Sequence, residues 1–311
     1  MNAIGRFLKD VIKNRAMLLF VLPATVWFLF FSYLPMFGTV IAFKEYRFSD
    51  GFLNSIINSK WVGFDNFKFL FATEDAYIIT RNTLLYNIVF IIFGLILAVA
   101  MAIILSEIVN KRLAKLYQTG MFMPYFLSWV IVGYFTFTFL SMDRGMLNQI
   151  LNFFGFESIQ WYSEAKYWPL ILVLINFWKI IGYNSVVYLA AIMGIDKSLY
   201  EAAMIDGANK WQQIRRITIP MLAPIMTILT LLAIGRIFYA DFGLFYQVPR
   251  DSGALYSVTN VIDTYVYRGL KVTGEIGMTT AAGLYQSFVG FILVITSNYI
   301  VRRFNKDNAL F

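Results

Sequence analysis

Six stretches of this chain are long and apolar enough to cross a lipid bilayer: residues 17–43, 81–106, 117–141, 168–194, 221–241 and 280–302. A spanning helix needs about 20 mostly apolar residues, because in hydrocarbon only a helix satisfies the backbone hydrogen bonds within one segment. The sequence therefore predicts an all-α, polytopic membrane protein with six transmembrane helices. Pro23, Pro35, Gly94 and Gly235 fall inside these runs, as is common in membrane helices. Only 14% of the residues are charged, against about 25% in soluble domains, too few to keep the chain in water. No tandem repeat or linker interrupts the pattern, so residues 1–311 read as one domain.

Lysine and arginine orient the spans. One set of connections carries Arg6, Lys9, Lys13 and Arg15, then Lys111, Arg112 and Lys115, then Lys197, Lys210, Arg215 and Arg216, and last Arg302, Arg303 and Lys306. The opposite set spreads its cations over longer loops rich in Asp and Glu. The denser set marks the cytoplasmic side, which places both termini and the 195–220 loop there. The basic N-terminus leads into an apolar run too long for a signal peptide, with no small-residue cleavage site, so it reads as a retained anchor. The outer loop at 44–80 alternates aromatic and charged residues and predicts short helices on the membrane surface, with Trp61 at headgroup level.

Several chemistries are excluded. The chain has no Cys and no His, which removes disulfides, thiolate and imidazole catalysis and the usual zinc sites. It contains no G-x-x-x-x-G-K-[ST] loop to cradle a nucleotide's phosphates. The net charge of +8 is scattered over short loops, so nucleic acid is not an expected partner.

The most polar sustained segment between two apolar runs is "SLYEAAMIDGANKWQQIRRITIP", residues 198–220. Its apolar positions recur at three- and four-residue steps on either side of Asp206-Gly207, which predicts two short amphipathic helices with a break. Asn209 is placed to cap the second. Periodicity alone fits equally a surface offered to a cytoplasmic partner and a helix resting on lipid, held by Arg215 and Arg216.

Within it, "EAAMIDGANKWQQIRRITIP" resembles the EAA signature of the membrane subunits of binding-protein-dependent ABC importers. Glu201, Ala202, Ala203, Gly207, Ile217 and Pro220 fall in register, with Asp206 beside the glycine; only Ile219 departs, standing where Leu is usual. "YLPMFGTVIAFKEY" (33–46), "WVGFDNF" (61–67), "YQTGMFMPYFLSWVIVGY" (117–134) and "DFGLFYQV" (241–248) are similar to the polysaccharide or oligosaccharide permease subgroup of the MalF/MalG-type sugar permeases. The resemblance implies a type I importer (MetI-like) fold in the bacterial plasma membrane. It also implies a coupling helix at the EAA segment that docks on an ATPase subunit, so ATP and Mg would be bound by that partner and no cofactor by this chain. The implied assembly holds a second homologous permease subunit, two ATPase subunits and an extracytoplasmic sugar-binding protein.

Charged residues inside spans are costly and usually face a cavity. Lys179 falls in the fourth run, and Arg236 and Asp241 in the fifth. Aromatic faces suit the C–H side of a sugar ring, and amides or carboxylates its hydroxyls. Trp178, Tyr183, Asn184, Tyr239, Tyr285 and Gln286 complete the candidate carbohydrate contacts. The bland alternatives are that Lys179 and Arg236 reach for headgroups, or that Arg236 pairs with Asp241. Other readings are the same machinery for a non-sugar solute, an ion-coupled secondary transporter, or a membrane enzyme. The lack of two related halves and of a catalytic constellation disfavours the last two.

Overall fold

A computed structural model describes residues 13–47 and 51–304. Arg6, Lys9 and Lys306, counted above among the cytoplasmic cations, lie outside the described residues. Helix α1 (Arg15–Phe43) comes first. It buries none of its residues over Arg15–Tyr33 and touches the rest of the chain through its last turns. A two-stranded antiparallel ribbon follows, β1 (Lys44–Glu45) with β2 (Lys60–Trp61), enclosing α2 (Phe52–Asn58). The Asn66 side chain donates to the carbonyls of Ala42 and Lys44 and ties this outer loop to the end of α1.

Helix α3 (Glu74–Ser106) starts seven residues before the apolar run. The Thr73 side chain accepts from the Ala76 N–H, and Glu74 and Asp75 sit in the first turn, where the helix dipole favours negative charge. At 33 residues it is about 50 Å long, more than the roughly 30 Å of hydrocarbon. The third apolar run is not one straight helix. It forms α4 (Lys111–Phe126) and α5 (Trp129–Leu140), bent by 98° at Leu127-Ser128. Pro124 closes the first piece in a tighter turn, and Ser128 caps the second by accepting from the Ile131 N–H.

After α6 (Met146–Phe153), α7 (Trp168–Met193) packs along α3. Ala98, Val99 and Ala102 of α3 meet Tyr188, Leu189 and Ile192 of α7 there. Close approach of α4 to α7 depends on Gly182, where a Cβ would lie 1.9 Å from the Met121 carbonyl oxygen. Next come α8 (Lys197–Ile205) and α9 (Lys210–Gly235). Helix α9 thus begins in the polar segment and ends at Gly235, so Arg236 to Asp241 lie beyond it although hydropathy extends that span to 241. The short helices α10 (Phe242–Gln247) and α11 (Ile262–Arg268), with a single helical turn at Tyr256–Thr259 between them, precede the last span, α12 (Ile276–Phe304). A second core cluster joins Tyr86, Val132, Trp168, Leu172, Leu244 and Phe245, so α10 and α5 both pack on the α3–α7 pair.

Candidate functional site

The polar segment forms the predicted helix, break and helix. Asp196 caps α8 by accepting from the Ser198 N–H, a bond that holds its carboxyl below the usual range. Gly207 has φ +76, a left-handed angle that suits glycine. Around it the Gly207 N–H donates to the Met204 carbonyl and the Ala208 N–H to that of Ala203, the paired bonds of a Schellman helix end. Asn209 and Gln212 then form a reciprocal capping box that starts α9. Tyr200 bonds Thr218 at 2.9 Å and fastens α8 to the base of α9.

What this clamp presents is Glu201. It is exposed and forms no ion pair among the described residues, with Ala202 exposed beside it and Ala203 partly so. Asp206 and Pro220 are exposed as well, and Ile217 is half-buried within a π-helical turn at Ile214–Thr218. Such widened turns occur often at functional positions.

The intramembrane candidates fall into two groups. In the first, Lys179 is buried, and its Nζ donates to the carbonyls of Tyr125 at 2.8 Å and Leu127 at 2.6 Å. The lysine thereby satisfies carbonyls that the break between α4 and α5 exposes, instead of reaching for a headgroup. Its charge also lies over the Tyr125 and Trp129 rings. Tyr183 stacks on Tyr125 with centroids 4.2 Å apart, and the Trp129 indole donates to Asp241 at 2.9 Å. The other Asp241 oxygen caps α10 by accepting from the Gly243 and Leu244 N–H groups. With its oxygens so engaged, Asp241 forms no ion pair with Arg236.

The second group surrounds the end of α9. Gln286 is buried and donates to the Phe238 carbonyl at 2.7 Å and to Asp263 at 3.3 Å. Asp263 accepts from the Ala240 N–H, and burial pushes its carboxyl above the usual range. Asn87 donates to the carbonyls of Ile237 and Tyr239, while the Tyr239 hydroxyl meets Ser287 at 2.7 Å. Tyr285 packs edge-on against Phe238. Trp178, Asn184 and Arg236 share in no side-chain hydrogen bond of either group.

Sequence reasoning missed Tyr125 and Trp129, although "MPYFLSW" carries a Pro–Ser pair that signals a helix end and a new cap. It also missed Asn87 and Asp263, whose partners lie far off in the chain.

Residues 2–306 match the family model described as the binding-protein-dependent transport system inner membrane component. The chain belongs to this family. Among its relatives is the polygalacturonan/rhamnogalacturonan transport system permease protein YteP of Bacillus subtilis (strain 168), 33% identical over 97% of this chain and 92% of that protein. Protein LplB of the same organism is 33% identical over 95% of this chain and 91% of its own length. In three dimensions the chain superposes with a TM-score of 0.87 on a chain of a bacterial ABC transporter involved in the import of the acidic polysaccharide alginate. That match has 33% sequence identity and covers 96% of this chain and 99% of the other. The fold is thus that of the type I importer permeases, and the protein is a multi-pass inner-membrane component of a transport system.

Proposed function

We propose that this chain is the membrane-spanning permease subunit of an ATP-driven importer, forming the pathway for a carbohydrate that an extracytoplasmic solute-binding protein delivers. The observation that carries the reading is α8. A short helix presents a Glu201 that has no ion pair among the described residues beside Ala202 and Ala203, and is clamped by the Gly207 turn and the Tyr200–Thr218 bond. A helix resting on lipid needs neither a free carboxylate nor so determined a turn. In this reading α8 docks on an ATPase subunit that binds ATP and Mg, so the chain itself is not an enzyme, and the 195–220 loop and both termini are cytoplasmic.

The carbohydrate class is supported by relatives named for polygalacturonan and rhamnogalacturonan and by the likeness to the alginate importer. The Tyr125–Tyr183 stack with Lys179, Trp129 and Asp241, and the Tyr239–Tyr285–Gln286 group, are the candidate walls of the pathway, together with Trp178, Asn184 and Arg236. The exposed apolar surface of α1 over Arg15–Tyr33 suits packing on a second, homologous permease.

Affinity capture of this chain from cells expressing the whole transport system tests the assignment. A second permease and an ATPase are expected in the purified complex, with oligosaccharide uptake restored in proteoliposomes when binding protein is added. ATP hydrolysis by this chain alone, or solute uptake by it without partners, would overturn the reading.

A further inference from the structure

A cavity of about 250 Å³ opens between α5 and the turn after α10, with Tyr134, Tyr246, Gln247, Arg250 and Asp251 in its walls. Helix α9 leads away from α8 and α12 leads back, so the cavity lies at the end of the bundle opposite the coupling segment. Its backbone is unusual. Arg250 and Asp251 are both left-handed, with φ 56 and 50, and they are the only non-glycine residues among those described with positive φ. Aspartate visits this region readily with a local hydrogen bond, but arginine holds such an angle only where its surroundings over-determine it, and such strain gathers at functional sites. Here the Asp251 N–H donates to the Tyr246 carbonyl and the Ser252 N–H to that of Pro249. The Asp251 carboxylate accepts from Arg268 at 2.7 Å and from the Tyr256 hydroxyl at 3.0 Å.

Arg268 neutralises Asp251. Arg250 has no carboxylate partner among the described residues; its guanidinium lies 4.2 Å from the centroid of the Phe137 ring. One positive charge is therefore left over. The Gln247 amide and the hydroxyls of Tyr134 and Tyr246 likewise make no side-chain hydrogen bond among the described residues. A planar cationic fork, an amide and two phenols without a side-chain bond among the described residues share, with the exposed face of Tyr134, a space sized for one sugar ring and not for a chain of them; the Tyr246 ring is stacked on Phe242 and offers only its hydroxyl.

We propose that this cavity is a subsite for a carboxylate-bearing sugar residue, a uronate, at the outer mouth of the pathway. Arg250 receives the carboxylate through paired N–H donors, the geometry that guanidinium offers and ammonium does not. Gln247 and the tyrosine hydroxyls meet the ring hydroxyls, and the exposed Tyr134 face meets the ring's C–H side. The inference rests on the carbohydrate-import reading and narrows it to acidic glycans.

The test uses the complete complex with its binding protein in proteoliposomes, and uronate trisaccharides (galacturonate, mannuronate) beside their neutral methyl esters. Arg250→Gly is the informative variant, because glycine suits a left-handed angle better than arginine and the backbone turn is kept. At limiting substrate we expect Arg250→Gly to lower uronide uptake about tenfold and to leave methyl-ester uptake within about twofold, with Arg250→Lys in between. Unchanged uronide uptake, or equal loss for both forms, would overturn the subsite. A wild-type complex that imports the neutral esters and refuses the uronides also overturns it while leaving carbohydrate import intact. Refusal of every carbohydrate in favour of another solute would overturn the reading underneath.

Discussion

The Lys179 Nζ lies 2.6 Å from the carbonyl oxygen of Leu127, so a cation from the middle of one span closes the broken end of another. A helix end inside a bilayer has no water to take up its free carbonyls, and each one left bare is expensive. Lys179→Met removes the donor and leaves the carbonyls of Tyr125 and Leu127 without it. Hydrogen bonds to charged groups are worth about 1.5–3 kcal/mol, so the thermal unfolding midpoint of the purified complex should fall and uptake of every solute should weaken alike. An unchanged midpoint together with loss confined to one class of solute would instead make Lys179 a ligand contact.

Gly182 sets the distance between α4 and α7. Gly182→Ala places a Cβ 1.9 Å from the Met121 carbonyl oxygen, a backbone atom that has no rotamer to change. Overpacking of this kind costs about 1–3 kcal/mol, and more where nothing yields. The expected result is a lower yield of assembled complex in size-exclusion chromatography. Wild-type yield and melting would mean that the two helices are not so closely apposed.

Asn87 holds the segment beyond α9 through the carbonyls of Ile237 and Tyr239. Asn87→Leu is close in volume but donates nothing, and leaving such groups unsatisfied costs about 1–3 kcal/mol. Hydrogen exchange should report it locally, with faster exchange at residues 236–241 and little change along α12. Uniform protection in the variant would show that Gln286 and Asp263 hold the segment without Asn87.

The spans were legible because hydrocarbon enforces helix on any run as apolar as residues 81–106 or 280–302. Gly207 was legible for a similar reason: an Asp-Gly step between two amphipathic runs leaves the chain few ways to turn. The bend at Leu127-Ser128 was legible only in the Pro124 and Ser128 signals and not in hydropathy, which sums composition, is blind to angle and runs on unbroken from Trp129. The end of α9 was hidden in the same way, because Ile237 and Phe238 are as apolar as the helix before them. What stops that helix is a set of side chains distant in sequence; Asn87 and Ile237 are 150 positions apart. Local patterns carry no trace of such pairings, and they likewise conceal that Arg268 takes Asp251 and leaves Arg250 without a carboxylate among the described residues.

Glu201 and Gly207 provide the sharpest test of the coupling assignment. Glu201→Ala removes an exposed carboxylate that has no ion pair among the described residues while improving helix propensity, so α8 should still form between its Asp196 cap and the Gly207 turn. If the carboxylate meets a cation of the ATPase at a desolvated interface, its loss costs about 2–5 kcal/mol of docking energy. Gly207→Val acts through the backbone. At φ +76 a β-branched residue is strained even though nothing lies within 4 Å of its Cβ, so the helix end should reopen and swing α8 away from Thr218. Neither residue sits among the apolar residues of a span, so both variants should insert normally. Solute and binding protein should no longer stimulate ATP hydrolysis in the reconstituted complex, with ATPase retention reduced in both. A helix merely resting on lipid makes the opposite forecast, since one exposed carboxylate adds little to interfacial binding. Full stimulation with all subunits retained in both variants would remove α8 from the coupling path.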